Sequence, residues 1–154
     1  MVLATTLLLL LTCMLFCMLG SGDEVNLVDY TSSINIDHPR VVITLTTSPK
    51  RISKIDSTLQ SLLRQSILPD LIQINMPHLF KRTNQTYPSL DTLPFLDHPL
   101  IRIYRSDDVG PATKLLPTLL TEKHPETIII VVDDDTNYPQ DMVYMYKCII
   151  YYII

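Results

Sequence analysis

The chain of 154 residues has room for one domain and hardly two. With 47% apolar and 18% charged residues it can build a core, which excludes a disordered chain. Its formal net charge of −4 leaves no basic surplus for a phosphate backbone, so no nucleic-acid partner is expected.

Residues 2–19 carry no charge and are rich in leucine, and Gly20, Ser21 and Gly22 close them. An apolar N-terminal segment that ends in small residues reads as a secretory signal peptide or a short signal anchor. At 18 residues it sits at the short limit of a membrane span. Cleavage and retention fit equally well, and either sends the rest of the chain to the ER or Golgi lumen or out of the cell. If retained, the segment ties the protein to the membrane. A buried helix fits less well, because it would have no polar face to turn to water. Cys13 and Cys17 lie inside this segment, and Cys148 is the only thiol of the remaining chain. Neither a disulfide framework nor a cysteine zinc site is expected. Residues 1–20 are thus read as leader or anchor, residues 21–39 as a polar, acidic stem and residues 40–154 as the domain.

The domain opens on Val41, Val42, Ile43, Thr44 and Leu45, a β-branched run that predicts a buried strand. Residues 46–51 break it. Ile52, Ile55, Leu59, Leu62 and Leu63 then recur at helical spacing, with Ser53 as candidate cap and Pro69 as the stop. Residues 71–76 predict a second strand and residues 77–94 a long polar loop. Within that loop Asn84, Gln85 and Thr86 form a glycosylation sequon on a surface stretch. Residues 100–104 predict a third strand, followed by Asp107 and Asp108. Gly110 and Pro111 open a helix over 112–122 that should turn Leu115, Leu116, Leu119 and Leu120 inward, and Pro117 is expected to shorten or kink it. Residues 127–132 carry the strongest strand signal, an unbroken apolar run expected to be buried on both faces. Pro139 suits the first turn of a last helix.

Strands alternate with helices throughout, which predicts an α/β fold with an open, mostly parallel sheet and helices on both faces. Such sheets bind ligands beyond the carboxyl ends of their strands. The polar residues 46–51, the pair Asp107 and Asp108, and the triplet Asp133, Asp134 and Asp135 all fall there. Three consecutive carboxylates repel each other and call for a counter-charge. A divalent cation supplies one, and hard oxygen ligands suit magnesium or manganese. In extended chain Asp133 and Asp135 share a face while Asp134 turns away. A solvated acidic turn, or a set of caps for the following helix, accounts for the triplet without any metal.

Three stretches, VVITLTTSPKRI…LQSLLRQS, SDDVGPATKLLPTL and IIIVVDDDTNYP, follow one another in this order. They resemble the first strand with its nucleotide loop and helix, the loop and helix before the metal motif, and the metal-motif strand of GT-A-type glycosyltransferases of the family-2 kind. The likeness covers residues 40–145. It implies a Rossmann-like nucleotide-binding half and a Mn2+ or Mg2+ ion held by Asp133 and Asp135 against the diphosphate of a nucleotide-sugar donor. Thr46 and Arg51 would lie near base and ribose. Asp107 or Asp108 would contact the nucleobase or ribose, Lys114 would reach the diphosphate or the sugar, and Asp134 would belong to the same donor site. The acceptor would be a glycan, a lipid or a protein. Plainer roles stand beside these: Arg51 as a solvated charge, Lys114 as a surface ion pair with Asp107 or Asp108, Asp108 as a helix cap, and Thr46 as a strand end.

GT-A domains run well past the metal motif and place there the acceptor pocket and, in inverting members, an acidic general base. Here 19 residues follow Asp135, the last acid is Asp141, and no histidine comes after it. Asp141 suits a first helical turn, where a carboxylate favours the dipole, so no catalytic base is assigned and an incomplete chain is expected. Two function classes stay open: a glycosyltransferase, and a non-catalytic lumenal module that binds metal and nucleotide. A haloacid-dehalogenase-like phosphotransferase fits less well, since that motif wants Thr or Val where Asn137 stands.

Overall fold

The computed structural model describes residues 39–89, 93, 95 and 97–153. The expected leader at 1–20, and the expected stem at 21–39 apart from its last residue, lie outside these. Four strands form one sheet: β1 (Val41–Thr46), β2 (Leu71–Pro77), β3 (Ile101–Ser106) and β4 (Ile128–Val131). Every pairing is parallel, and the order is β3-β2-β1-β4. Parallel neighbours need long crossovers. Among the described residues α1 (Asp56–Leu63), with a 3-10 turn at Ile52–Lys54, lies between β1 and β2; α2 (Leu116–Thr121), with a 3-10 turn at Gly110–Lys114, lies between β3 and β4; and α3 (Met142–Ile153) follows β4. The fold is α/β with an open parallel sheet, as the alternation of elements predicts.

Strand side chains alternate between the two faces of the sheet. On one face Ile43 of β1 stands beside Ile72 of β2 and Ile130 of β4, and Leu45 stands beside Ile74. Ile52, Ile55, Leu59 and Leu62 join them in one buried cluster, which Met142 and Val143 of α3 complete. The helix expected over 52–63 is broken, because the 3-10 turn precedes α1 and Ser53 lies inside that turn, not at a cap. The apolar row survives the break, since a 3-10 turn places i and i+3 on the same side.

The opposite face is polar and buried. Asn75 Nδ2 donates to Thr44 Oγ1 at 2.9 Å and to Thr118 Oγ1 at 3.0 Å, and Gln73 Nε2 donates to Asn75 Oδ1 at 2.9 Å. This network corrects the expected inward face of residues 112–122. Pro117 sits in the first turn of α2, and the run divides into the 3-10 turn and α2. Thr113, Pro117 and Thr118 face the sheet, while Leu116, Leu119 and Leu120 are exposed, Leu120 at 73%. A strand face carrying Gln73 and Asn75 demands hydrogen-bonding partners, because an unpaired buried amide is costly. Threonines meet that demand and leucines cannot.

The expected burial of the fourth strand on both faces also fails. β4 lies at one end of the strand order, and Val131 is 43% exposed although Ile128 and Ile130 are buried. β1 and β2 have a strand on each side and are buried along nearly their whole length. Pro139 does not open the last helix. Its carbonyl accepts from the Met142 amide at 3.2 Å, and the Asp141 carbonyl takes the first helical bond, from Met145 at 2.9 Å. Among the described residues no helix is long and apolar enough to cross a membrane.

Candidate functional site

The chain passes from β1 outward to β2 and β3, then returns to the other side of β1 as β4. Connections that leave neighbouring strands in opposite directions open a crevice at the strands' carboxyl ends. A cavity of about 760 Å³ lies there.

Four chain segments line it, and they form three walls. After β1, the Ser48 carbonyl accepts from the Arg51 amide at 2.9 Å and closes a tight turn. Pro49 takes the second position, which its fixed φ favours. The turn sets Arg51 against the segment that follows β4. There the Val132 amide donates to the Thr44 carbonyl at 3.0 Å, and the acidic triplet begins one residue later. Helix α1 holds this loop through two hydroxyls. Thr58 donates to the Asp134 carbonyl at 3.1 Å, and Ser61 Oγ accepts from the Tyr138 amide at 3.0 Å. The Tyr138 hydroxyl in turn accepts from the Asp133 amide at 2.7 Å.

The third wall is organised by Asp108. Its Oδ1 accepts from the Gly110 amide at 2.8 Å, and its Oδ2 accepts from the Lys81 amide at 2.7 Å. Lys81 Nζ also donates to the Asp108 carbonyl at 2.8 Å. Gly110 has φ of 66°, a left-handed value that glycine adopts without penalty. Asp108 thereby ties the small hairpin closed by the Phe80–Gln85 bridge to the 3-10 turn that carries Lys114.

The triplet's counter-charge comes from two side chains. Arg51 Nη2 lies 2.6 Å from Asp134 Oδ1 and 2.5 Å from Asp135 Oδ2, and Lys114 Nζ pairs with Asp133 Oδ1. Asp133 and Asp135 are exposed and Asp134 is buried, which follows the alternation of extended chain. Asp134 Oδ2 is buried without a hydrogen-bond partner, and so is Thr47 Oγ1. Lys50 and Arg82 line the same cavity and form no ion pair among the described residues. Behind the β1 loop the Tyr87 hydroxyl donates to the Thr47 carbonyl at 2.6 Å. Burial pushes this phenol up to about 12; the charge of Asp108 adds to the shift and that of Arg105 opposes it.

Thr46, Arg51, Asp108, Lys114, Asp133, Asp134 and Asp135 all line the cavity, whereas the exposed Asp107 does not. Lys114 pairs with Asp133, not with Asp107 or Asp108. Thr46 ends β1, and its hydroxyl donates to the Asn75 carbonyl at 2.7 Å. Asn84 is exposed in the small hairpin with φ of 52°, a left-handed value asparagine tolerates better than most residues. Sequence reasoning missed Lys81, Arg82 and Tyr87, which stand in loops with no periodicity to single them out, and it places Thr47 only as part of the polar run 46–51. Tyr138 does carry a sequence signal, since it lies inside DDDTNYP, but only the structure shows its bonds to Asp133 and Ser61.

The donor chemistry suits a hard cation. Asp133 and Asp135 both offer carboxylates to the cavity. No group of three His, Cys, Asp or Glu side chains is arranged as a ligand set among the described residues. A magnesium-like ion needs none, since it commonly takes one or two carboxylates and completes its shell with water and substrate phosphates. Fold and site together define a parallel α/β domain with an ionic cavity at the carboxyl edge of its sheet. No protein-family model, curated protein or solved structure matches the chain.

Proposed function

We propose that the protein binds a nucleotide-sugar donor through a divalent cation in this cavity and acts as a glycosyltransferase of the GT-A kind on a glycan, lipid or protein acceptor. One observation carries this: the crevice between β1 and β4 gathers the acidic triplet and the cations Arg51, Lys50, Lys81, Arg82 and Lys114 around a single cavity. A wall of mixed charge suits a ligand that arrives as a multiply charged anion together with a metal.

Asp133 and Asp135 would hold Mn2+ or Mg2+. The ion would supply Lewis acidity that stabilises the leaving diphosphate. Lys114 and Arg51 add positive charge beside the same carboxylates, where phosphate oxygens would lie. Tyr87 keeps the β1 loop in place from behind, and Asp108, in the cavity wall, holds the basic hairpin. No residue is assigned as general base, and Asp141 stands outside the cavity lining. The lumenal or secreted location belongs to the same proposal, and the exposed Asn84 sequon is accessible for glycosylation there.

Calorimetric titration of UDP and GDP into the full chain tests this reading. Binding should require Mn2+ or Mg2+, and Asp135→Ala should weaken it by roughly tenfold or more. Absence of nucleotide binding with every divalent metal tried would sink it. A lumenal module that binds metal and nucleotide without turnover is favoured by a different observation. Asp108, Asp133, Asp134 and Asp135 all already engage cations or main-chain amides. Nucleotide binding with no donor hydrolysis or transfer would select that reading.

A further inference from the structure

We propose that Arg51 and Lys114 are exchangeable counter-ions of the donor site: a divalent cation displaces them from Asp135 and Asp133, and they then turn to the diphosphate that arrives with it. This rests on the donor-binding reading above. The carboxylates that offer themselves to a metal are the ones these two cations occupy. A metal ion and a protein cation on the same carboxylates repel each other at short range. Both side chains line the cavity, are partly exposed and sit on flexible stems, so each can swing without leaving it.

Asp134 distinguishes exchange from a fixed ion-pair network. It is 9% exposed, lines the cavity, and holds Arg51 through Oδ1 alone, while Oδ2 is buried and unpartnered. A guanidinium has donors enough to grip both oxygens of one carboxylate and still reach a phosphate. Giving up Asp135 therefore lets Arg51 close on Oδ2 of Asp134, which satisfies the orphan atom and leaves the other edge of the guanidinium free. Asp134 is thus the positioning residue that keeps Arg51 at the site during the exchange.

The test uses Mn2+ alone on the full chain, followed through the electron paramagnetic resonance of free Mn2+, and then UDP at saturating Mn2+. Arg51→Gln and Lys114→Gln should each bind Mn2+ about fivefold more tightly, because a competing cation is gone. Each should bind UDP about fivefold more weakly, because a phosphate ligand is gone. A purely structural role moves both affinities in the same direction or neither. Arg51→Gln leaves buried Asp134 unpaired and can fail to fold; Lys114→Gln breaks a pair exposed on both sides and carries the test by itself. Mn2+ binding unchanged or weakened in folded Lys114→Gln overturns the exchange. Tighter Mn2+ binding with UDP affinity unchanged overturns the transfer to the diphosphate. If neither wild type nor variant binds Mn2+, the donor-binding reading falls and the exchange falls with it.

Discussion

Tyr87 shows how much of this site depends on groups behind the cavity wall. Its hydroxyl holds the Thr47 carbonyl at 2.6 Å, and Arg105 lies over its ring at 5.8 Å from the centroid. The phenol is raised from 10.0 to about 12. The folded protein therefore keeps this proton where the unfolded chain has lost it. Stability from this residue is complete below about pH 10 and declines as pH rises towards about 12. In Tyr87→Phe that alkaline decline should flatten, and the lost hydrogen bond should cost about 1 kcal/mol at neutral pH. Urea denaturation of both proteins between about pH 9 and 12 measures this, and parallel declines would refute it. At this scale sequence reading is selective. Acidic and basic residues at strand ends announce themselves by type and position, and all of those named except Asp107 reach the cavity. Thr47 and Tyr87 do not, because what matters about them is a contact 40 positions away.

Among the elements, residues 110–121 teach most. Leu115, Leu116, Leu119 and Leu120 look like a helix face, yet α2 turns Thr118 to the sheet and Leu120 to solvent. Hydrophobic periodicity assumes an apolar partner, and here the partner is the polar row of Thr44, Gln73 and Asn75. Leu120→Ala should then change stability by no more than about 0.5 kcal/mol. Thr118→Val should cost about 1–3 kcal/mol, since it strips a partner from Asn75 and Gln73. The fully buried Leu59 of α1 calibrates the scale, and Leu59→Ala should cost about 3 kcal/mol. Denaturant midpoints rank the three, and a Leu120 variant as damaging as the Leu59 variant would restore the apolar face. For α1 the same periodicity reads correctly, because the strand face opposite it carries Ile43, Leu45 and Ile74.

At the scale of the whole domain, the two ends of the sheet divide the labour. The cavity sits at the carboxyl ends, while Arg40, just before β1, bonds Glu122, just after α2, at 3.1 Å. Burial raises the Glu122 pKa, but the hydrogen bonds from Arg40 and the His124 amide outweigh it and hold the carboxyl below its ordinary value of 4.5. A lowered folded value means stability present above the unfolded value and lost as pH falls through the folded one. Glu122→Gln should abolish that acid-side loss at a cost of no more than about 1 kcal/mol near neutral pH. Nucleotide affinity should be untouched. Melting curves below about pH 5 check the first point and UDP titration the second; weakened UDP binding would show that the two ends are coupled. The α/β class, the parallel sheet and the gathering of polar residues at strand ends were all written in the sequence, although no helix is described between β2 and β3. Each is a local pattern, a run or a period within a few residues. Strand order, the exposed flank of β4, the polar face under α2 and the ion pairs that neutralise the triplet were decided only in three dimensions. They join residues such as Thr44 and Thr118, 74 positions apart. Periodicity tells a side chain which face of its own element it occupies, and only the packed fold tells it what stands opposite.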